Sequence, residues 1–185
     1  MTLRVITGSA KGRRLKSVPG DTTRPVTDRV KESLFDILAS DVEDSVWWDL
    51  FGGTGAIGIE AISRGAEFIR FSELNRLPVE TIKANLETCG FSKKAEVKRG
   101  DAFSMLAAAP DRVFDYIYIA PPQYKEMWLE ALKLVDANPG WLSEGSWVVV
   151  QIHPREYQDV ALENLEKFDE RKYGSTLLVF YEKIG

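Results

Sequence analysis

The sequence predicts an α/β fold, a mainly parallel sheet with helices on both faces that is finished by an antiparallel hairpin. Three observations predict it. From residue 46 onward, short β-prone apolar runs alternate with runs of helical spacing, the pattern of parallel strands joined by right-handed crossovers. The first of these strands ends in Asp49 and runs into a glycine cluster (Gly52, Gly53, Gly55), after which Ile57, Ile59 and Ile62 take up helical spacing. At the far end, 168–173 and 176–183 are strand-like and are separated only by Gly174-Ser175. So short a connection forces an antiparallel pair.

In chain order, residues 3–7 and 13–18 are β-prone runs around a turn-rich G-S-A-K-G and predict a small basic hairpin. Pro19-Gly20-Asp21 marks a loop, and Thr27 or Asp28 caps a helix over 28–39 with Val30, Leu34, Phe35 and Leu38 on its apolar face. The alternating part then predicts strands at 46–50, 67–73, 95–99, 114–119 and 146–152. Helices are expected at 56–64, 76–88, just after Asp101, at 125–136 and at 156–165. This makes one domain of 1–185, with 1–40 as an extension and 41–185 as the core.

The chain has 185 residues, one cysteine (Cys89) and no apolar run near the roughly 20 residues that span a bilayer. A disulfide framework, a cysteine-based metal site and a membrane span are therefore not expected. The plain expectation is a cytoplasmic protein with no metal and no membrane partner, read as a monomer. Net charge is −4, but it is unevenly placed: residues 1–33 hold eight basic and three acidic residues, net +5, leaving −9 for the rest. A basic arm on an acidic body hints at a polyanion partner, with a merely solvated hairpin as the alternative.

Ligands of open α/β sheets sit beyond the carboxyl ends of the strands. Those ends deliver Asp49 with the glycine loop, Glu73 followed by Leu74, Asp101 followed by Ala102, and Ala120-Pro121-Pro122-Gln123-Tyr124. Loop amides and the positive end of a helix dipole make a seat for a nucleotide-like ligand. Glu73, about 20 positions past the first loop glycine, is placed for ribose hydroxyls, and Asp101 for an adenine amino group. Gly53-Thr54-Gly55-Ala56-Ile57-Gly58 also matches the dinucleotide fingerprint, so a nicotinamide enzyme is a competing reading. Asp49 argues against it, since a carboxylate beside a pyrophosphate is repelled, whereas an ammonium and a sulfonium suit it. The single histidine, His153, has no evident acid/base partner. Adenosylmethionine fits better, and the two prolines would fix a projecting carbonyl with Tyr124 beyond it to stack on a base.

On these residues the chain resembles the bacterial small-subunit ribosomal RNA (guanine-N2) methyltransferase family, the D-type enzymes. The resemblance rests on R-V-I-T-G-S-A-K-G-R-R-L (4–15), T-R-P-V-T-D-R-V-K-E-S-L-F (23–35), the loop and helix of 49–66, and Arg171-Lys172-Tyr173-Gly174. It implies a class I (Rossmann-like) methyltransferase fold, seven-stranded with an antiparallel last strand. It implies S-adenosylmethionine at Asp49, Gly52, Gly53, Gly55, Glu73, Leu74, Asp101 and Ala102. The substrate implied is a guanine, position 966 in usual 16S numbering, in 16S rRNA or a small-subunit assembly intermediate. RNA contact is expected at Arg4, Lys11, Arg13, Arg14 and Lys16, with Arg24 and Arg29 from the T-R-P-x-T-D-R segment. The catalytic motif departs from the family at one place. Ala120 stands where Asp or Asn usually accepts a hydrogen bond from the exocyclic amine, and Gln123 is the candidate replacement acceptor.

Overall fold

The computed structural model describes residues 3–20, 26–123 and 125–185. The strands are β1 (Val46–Asp49), β2 (Phe68–Glu73), β3 (Ala95–Arg99), β4 (Phe114–Ile119), β5 (Leu142–Ile152), β6 (Leu165–Tyr173) and β7 (Thr176–Lys183). The helices are α1 (Asp28–Leu38), α2 (Ala56–Ser63), α3 (Arg76–Cys89), α4 (Ala102–Ala107) and α5 (Met127–Ala137). The seven strands form one sheet of order β3-β2-β1-β4-β5-β7-β6. The chain divides into two compact units, Met1–Gly100 and Asp101–Gly185.

In the first unit β1, β2 and β3 pair in parallel, Trp47 opposite Ile69 and Phe71 opposite Val97. The two tryptophans of β1 are both fully buried. Each finds a hydroxyl for its indole N–H, Trp47 at Ser45 Oγ (2.7 Å) and Trp48 at Ser72 Oγ (2.9 Å), which is how so polar an edge tolerates burial. Trp47 also stacks on Phe35 of α1 at 5.7 Å between centroids. Thr27 caps α1 by accepting from the Val30 amide at 3.2 Å, as the sequence expects. All eight residues of α2 are buried. Its Gly58 lies against β2 so closely that a Cβ there would fall 2.4 Å from the Phe71 ring, so only glycine lets helix and strand meet.

In the second unit β4 pairs β5 in parallel, and β7 runs antiparallel to both β5 and β6. The terminal hairpin therefore does not add its strands in chain order, because its second strand inserts between β5 and its own partner. Trp147 centres an aromatic cluster with Tyr116, Phe168 and Phe180, at centroid distances of 6.0, 4.8 and 6.1 Å.

Three expectations change. The helix expected at 156–165 is absent: a short 3-10 turn at Pro154–Glu156 gives way to irregular chain that bends at 163–164 before β6. The reason is Asp136, a buried carboxylate at the end of α5 that accepts from the amides of Glu163 (3.0 Å), Asn164 (2.7 Å) and Leu165 (3.0 Å). Those amides cannot also serve a helix, and they launch β6 at Leu165 instead. Second, β5 begins at Leu142 rather than 146, carried past Gly145 (φ +77°) by an irregularity that Ser146 pins through the Phe114 carbonyl at 3.0 Å. Third, the N-terminal reversal is antiparallel as expected but is a single bridge, Arg4 to Arg14, rather than two regular strands.

Candidate cofactor loop and basic arm

The glycine loop leaves β1 and is tied down from three directions. The Gly52 amide donates to the Ser72 carbonyl (2.9 Å), Gly55 closes a turn onto the Gly52 carbonyl (2.8 Å), and the Gly53 amide donates to Glu73 Oε2 (3.0 Å). Gly53 and Gly55 both hold left-handed φ, +59° and +83°, which an L side chain resists. Gly55 is the N-cap of α2, and a Cβ added at Gly53 would meet open space. Glu73 Oε1 accepts from the Leu74 amide (3.2 Å), and the Leu74 side chain is 60% exposed. The structure thus brings Asp49, Gly52, Gly53, Gly55, Glu73 and Leu74 together.

Asp49 sits beneath this loop, only 3% exposed. Burial pushes its carboxyl well above the usual carboxylate range. A hydrogen bond with the Gly58 backbone opposes that shift, and the charge of Glu73 adds to it. A carboxylate held in this way is made more comfortable by a nearby cation. The donor set therefore fits a ligand with an ammonium, a ribose and a base, which is the chemistry of S-adenosylmethionine.

The basic arm lies elsewhere on the same unit. The amides of Val5 and Gly12 and the carbonyls of Arg13 and Val5 close it at 2.9 Å, and Leu15 donates to the Leu3 carbonyl at 2.8 Å. Leu3, Val5, Ala10 and Leu15 point inward, while Lys11, Arg13, Arg14 and Lys16 are exposed. Arg4 is exposed too but is paired with Asp28 at 3.3 Å. Arg29 is exposed on α1, and Arg24 lies outside the described residues. Lys31, counted in the N-terminal positive charge, is fully buried against Glu60 (3.5 Å) and donates to the Arg4 carbonyl at 2.6 Å. Burial lowers its pKa and Glu60 works against that shift. It contributes nothing to an outer basic face.

Sequence reasoning missed what seats this arm. Glu60 of α2 accepts from the amides of Ile6 (2.9 Å) and Thr7 (3.1 Å) and pairs with Arg64 (2.8 Å). Ser63 Oγ accepts from the Ala10 amide at 3.0 Å and donates to the Thr7 carbonyl at 2.6 Å. Gly8 packs so tightly that a Cβ would lie 1.8 Å from the Ser63 carbonyl oxygen. The available signal was a glutamate embedded among Ile57, Ile59, Ala61 and Ile62, a charge that must have partners if its helix is buried all round.

In the second unit Asp101 is an exposed N-cap of α4, accepting from the Phe103 and Ser104 amides at 3.3 Å each, with Ala102 buried behind it. After β4, Ala120 and Pro121 are half-buried and Pro122 and Gln123 exposed, while Tyr124 lies outside the described residues. Glu126 follows in a left-handed conformation (φ +52°) at the start of α5, a strained backbone of the kind that gathers at functional loops. His153 is occupied structurally: its Nδ1 accepts from the Arg155 amide at 3.1 Å, and its own amide donates to Glu156 at 2.9 Å. Among the described residues no cluster of three or more metal-ligating side chains occurs, and no helix is long and apolar enough to cross a membrane.

A seven-stranded sheet with an inserted antiparallel strand and a glycine loop after β1 defines the class I, Rossmann-like methyltransferase fold. The family described as "Conserved hypothetical protein 95" matches residues 3–182. A Bacillus subtilis protein named "Putative rRNA methyltransferase YlbH" is 40% identical over 186 residues, covering 99% of this chain and 100% of that one. "Ribosomal RNA small subunit methyltransferase D" of Escherichia coli strain K12 is 33% identical over 151 residues, covering 80% of this chain and 74% of that one. The solved "Putative methyltransferase yhhF from Escherichia coli" superposes with a TM-score of 0.87 at 30% identity, covering 99% and 98% of the two chains. The chain belongs to this family of S-adenosylmethionine-dependent methyltransferases, that of the small-subunit rRNA methyltransferases D.

Proposed function

We propose that this protein methylates ribosomal RNA of the small subunit, at the exocyclic N2 amine of a guanine, using S-adenosylmethionine. The observation that carries the reading is helix α2. Its first residue follows the glycine loop, and its last turn seats the basic arm, so cofactor chemistry and polyanion binding are built on one short element. Relatives named as small-subunit rRNA methyltransferases support ribosomal RNA as the polyanion. The substrate is 16S rRNA or an assembly intermediate, and the protein acts as a cytoplasmic monomer.

Each residue has a role in this reading. The buried Asp49 charge faces the ammonium of the cofactor, and the glycine backbone, with no Cβ in the way, lets its methionine end lie against the loop. Glu73 retains lone pairs beyond those used by Gly53 and Leu74, and these accept from the ribose hydroxyls. Leu74, Asp101 and Ala102 hold the adenine. The bound cofactor supplies a methyl group on a sulfonium centre. The Pro121 carbonyl, stiffened by two fixed proline φ angles, accepts from the guanine amine and turns its lone pair out of the ring system. Gln123 gives the second acceptor that Ala120 lacks, and Tyr124 stacks on the base. Lys11, Arg13, Arg14 and Lys16, with Arg4, Arg24 and Arg29, hold the RNA backbone.

Ala120 favours one other reading, a cofactor- and RNA-binding relative with impaired catalysis, because a methyl group accepts no hydrogen bond. Two measurements decide between them. N2-methylguanine is mapped in 16S rRNA from cells with and without the protein, and label transfer to undermethylated small-subunit particles is followed with the purified chain. Active enzyme restores one N2-methylguanine, and Gln123→Ala lowers kcat by about 10²-fold, the scale of losing one charge-stabilising contact. Absence of label transfer favours the impaired relative. A Gln123→Ala rate equal to wild type at saturating RNA removes Gln123 from the mechanism.

A further inference from the structure

Asn85 of α3 is fully buried and spends its side-chain amide entirely on main chain. Its Oδ1 accepts from the Lys16 amide at 2.8 Å. Its Nδ2 donates to the Lys16 carbonyl at 3.0 Å and to the Thr54 carbonyl at 2.9 Å. Lys16 is the last basic residue of the arm. Thr54 is the tip of the cofactor loop, standing between the two left-handed glycines Gly53 and Gly55. One side chain therefore grips the RNA-facing segment and the cofactor-facing segment at once.

A buried amide N–H is not readily left without a partner, and Asn85 has no solvent to turn to. If Thr54 shifts, Asn85 must follow it or lose a bond, and Lys16 is held to Asn85 by two bonds that together fix its position like a pair of strand contacts. Glu60 and Ser63 seat the tip of the arm at residues 6–10, and Glu60 also pairs with Lys31 and Arg64, but none of these bonds reaches the cofactor loop. The bonds of Asn85 reach both segments.

We infer that Asn85 is a positioning residue that couples the cofactor loop to the basic arm, so that cofactor and RNA each bind more tightly when the other is present. The coupling is reciprocal by thermodynamic necessity. For its RNA half the inference rests on the proposed function. An occupied loop holds the Thr54 carbonyl still, Asn85 transmits that order to Lys16, and the arm meets RNA already set.

Two experiments test it. In the first, amide hydrogen exchange at Lys16 is measured in the wild-type chain with and without S-adenosylhomocysteine and with no RNA present. Protection of the Lys16 amide rises when the ligand is added, and exchange indifferent to the ligand overturns the coupling. In the second, the Kd for undermethylated 16S rRNA is measured with and without saturating S-adenosylhomocysteine. Wild type binds RNA about fivefold more tightly with the ligand, the lower end of ordinary coupling. Asn85→Ala brings the ratio to one while each ligand alone still binds. Asn85→Asp keeps the acceptor toward the Lys16 amide and removes both donors, and it gives the same collapse if the alanine variant does not fold. A ratio of one in wild type, or an unchanged ratio in the variants, overturns the inference. No RNA binding by wild type at all counts against the RNA substrate, and the Lys16 exchange still decides the coupling.

Discussion

Asp49 shows how the burial of a single carboxyl sets a pH dependence of stability. Its carboxyl is held well above the range of an unfolded aspartate, about 3.9, first of all by burial. The sign follows from proton counting. Between the unfolded and the folded pKa the native state binds more protons than the unfolded chain, so Asp49's contribution to stability falls as pH rises through that window. Asp49→Asn keeps the shape and can still accept from the Gly58 backbone, but it carries no charge. Its Tm therefore matches wild type near pH 4 and exceeds it near pH 8, as read by thermal melts across that range. On the proposed function, the same variant loses the charge that faces the cofactor ammonium. Its affinity for S-adenosylhomocysteine falls by about tenfold or more at pH 8, the worth of one charge-assisted hydrogen bond. A variant not stabilised at pH 8 would show that the folded carboxyl is not raised above the unfolded one, and unweakened binding would remove its charge from cofactor recognition.

The arm and α2 form the level at which single residues become a device. Apolar side chains at 3, 5, 10 and 15 face inward and basic ones at 11, 13, 14 and 16 face out, so a short irregular segment has an inner and an outer face without being a regular hairpin. Reversing Arg13 and Arg14 together to Glu changes an outer face and leaves the buried seat on Glu60 and Ser63 intact. RNA affinity then drops at low salt, and the slope of log Kd against log salt becomes shallower by about two phosphates' worth. The choice of base is unchanged, because backbone contacts position rather than specify. Unaltered RNA binding in that double variant would leave the arm as a solvated surface element. The same level explains the helix that did not form at 156–165. Its residues have ordinary helical character, but Asp136, which is distant in sequence, claims three of their amides.

At the scale of the whole molecule, the family settles the competition posed by the G-x-G-x-x-G match. The structure gives that match a physical reading that needs no dinucleotide. Gly53 and Gly55 supply left-handed backbone, and Gly58 admits the Phe71 ring. S-adenosylhomocysteine at 100 times its Kd should stabilise the fold by about 2.7 kcal/mol, a shift of about 5–10 °C in Tm, while NAD at the same concentration gives none. A shift with NAD alone would return the chain to the nicotinamide enzymes.

By itself the sequence determined the α/β class, six of the seven strands to within two or three residues at their ends, the glycine loop with Asp49 and Glu73, and the basic character of the arm. Each of these is a local property. Strand periodicity, turn glycines and charge counts are written within a few residues of one another, and a two-residue connection such as Gly174-Ser175 permits only one pairing. Only the tertiary structure decided where β7 inserts, why no helix forms at 156–165, that Lys31 is internal, and that Glu60, Ser63 and Asn85 seat the arm. Apart from the β7 insertion, which is a matter of backbone pairing, these depend on polar side chains that satisfy main-chain groups remote in sequence. Lys16 and Asn85 stand 69 positions apart. Burial makes such bonds obligatory, but no periodicity announces which amide will be waiting at the other end.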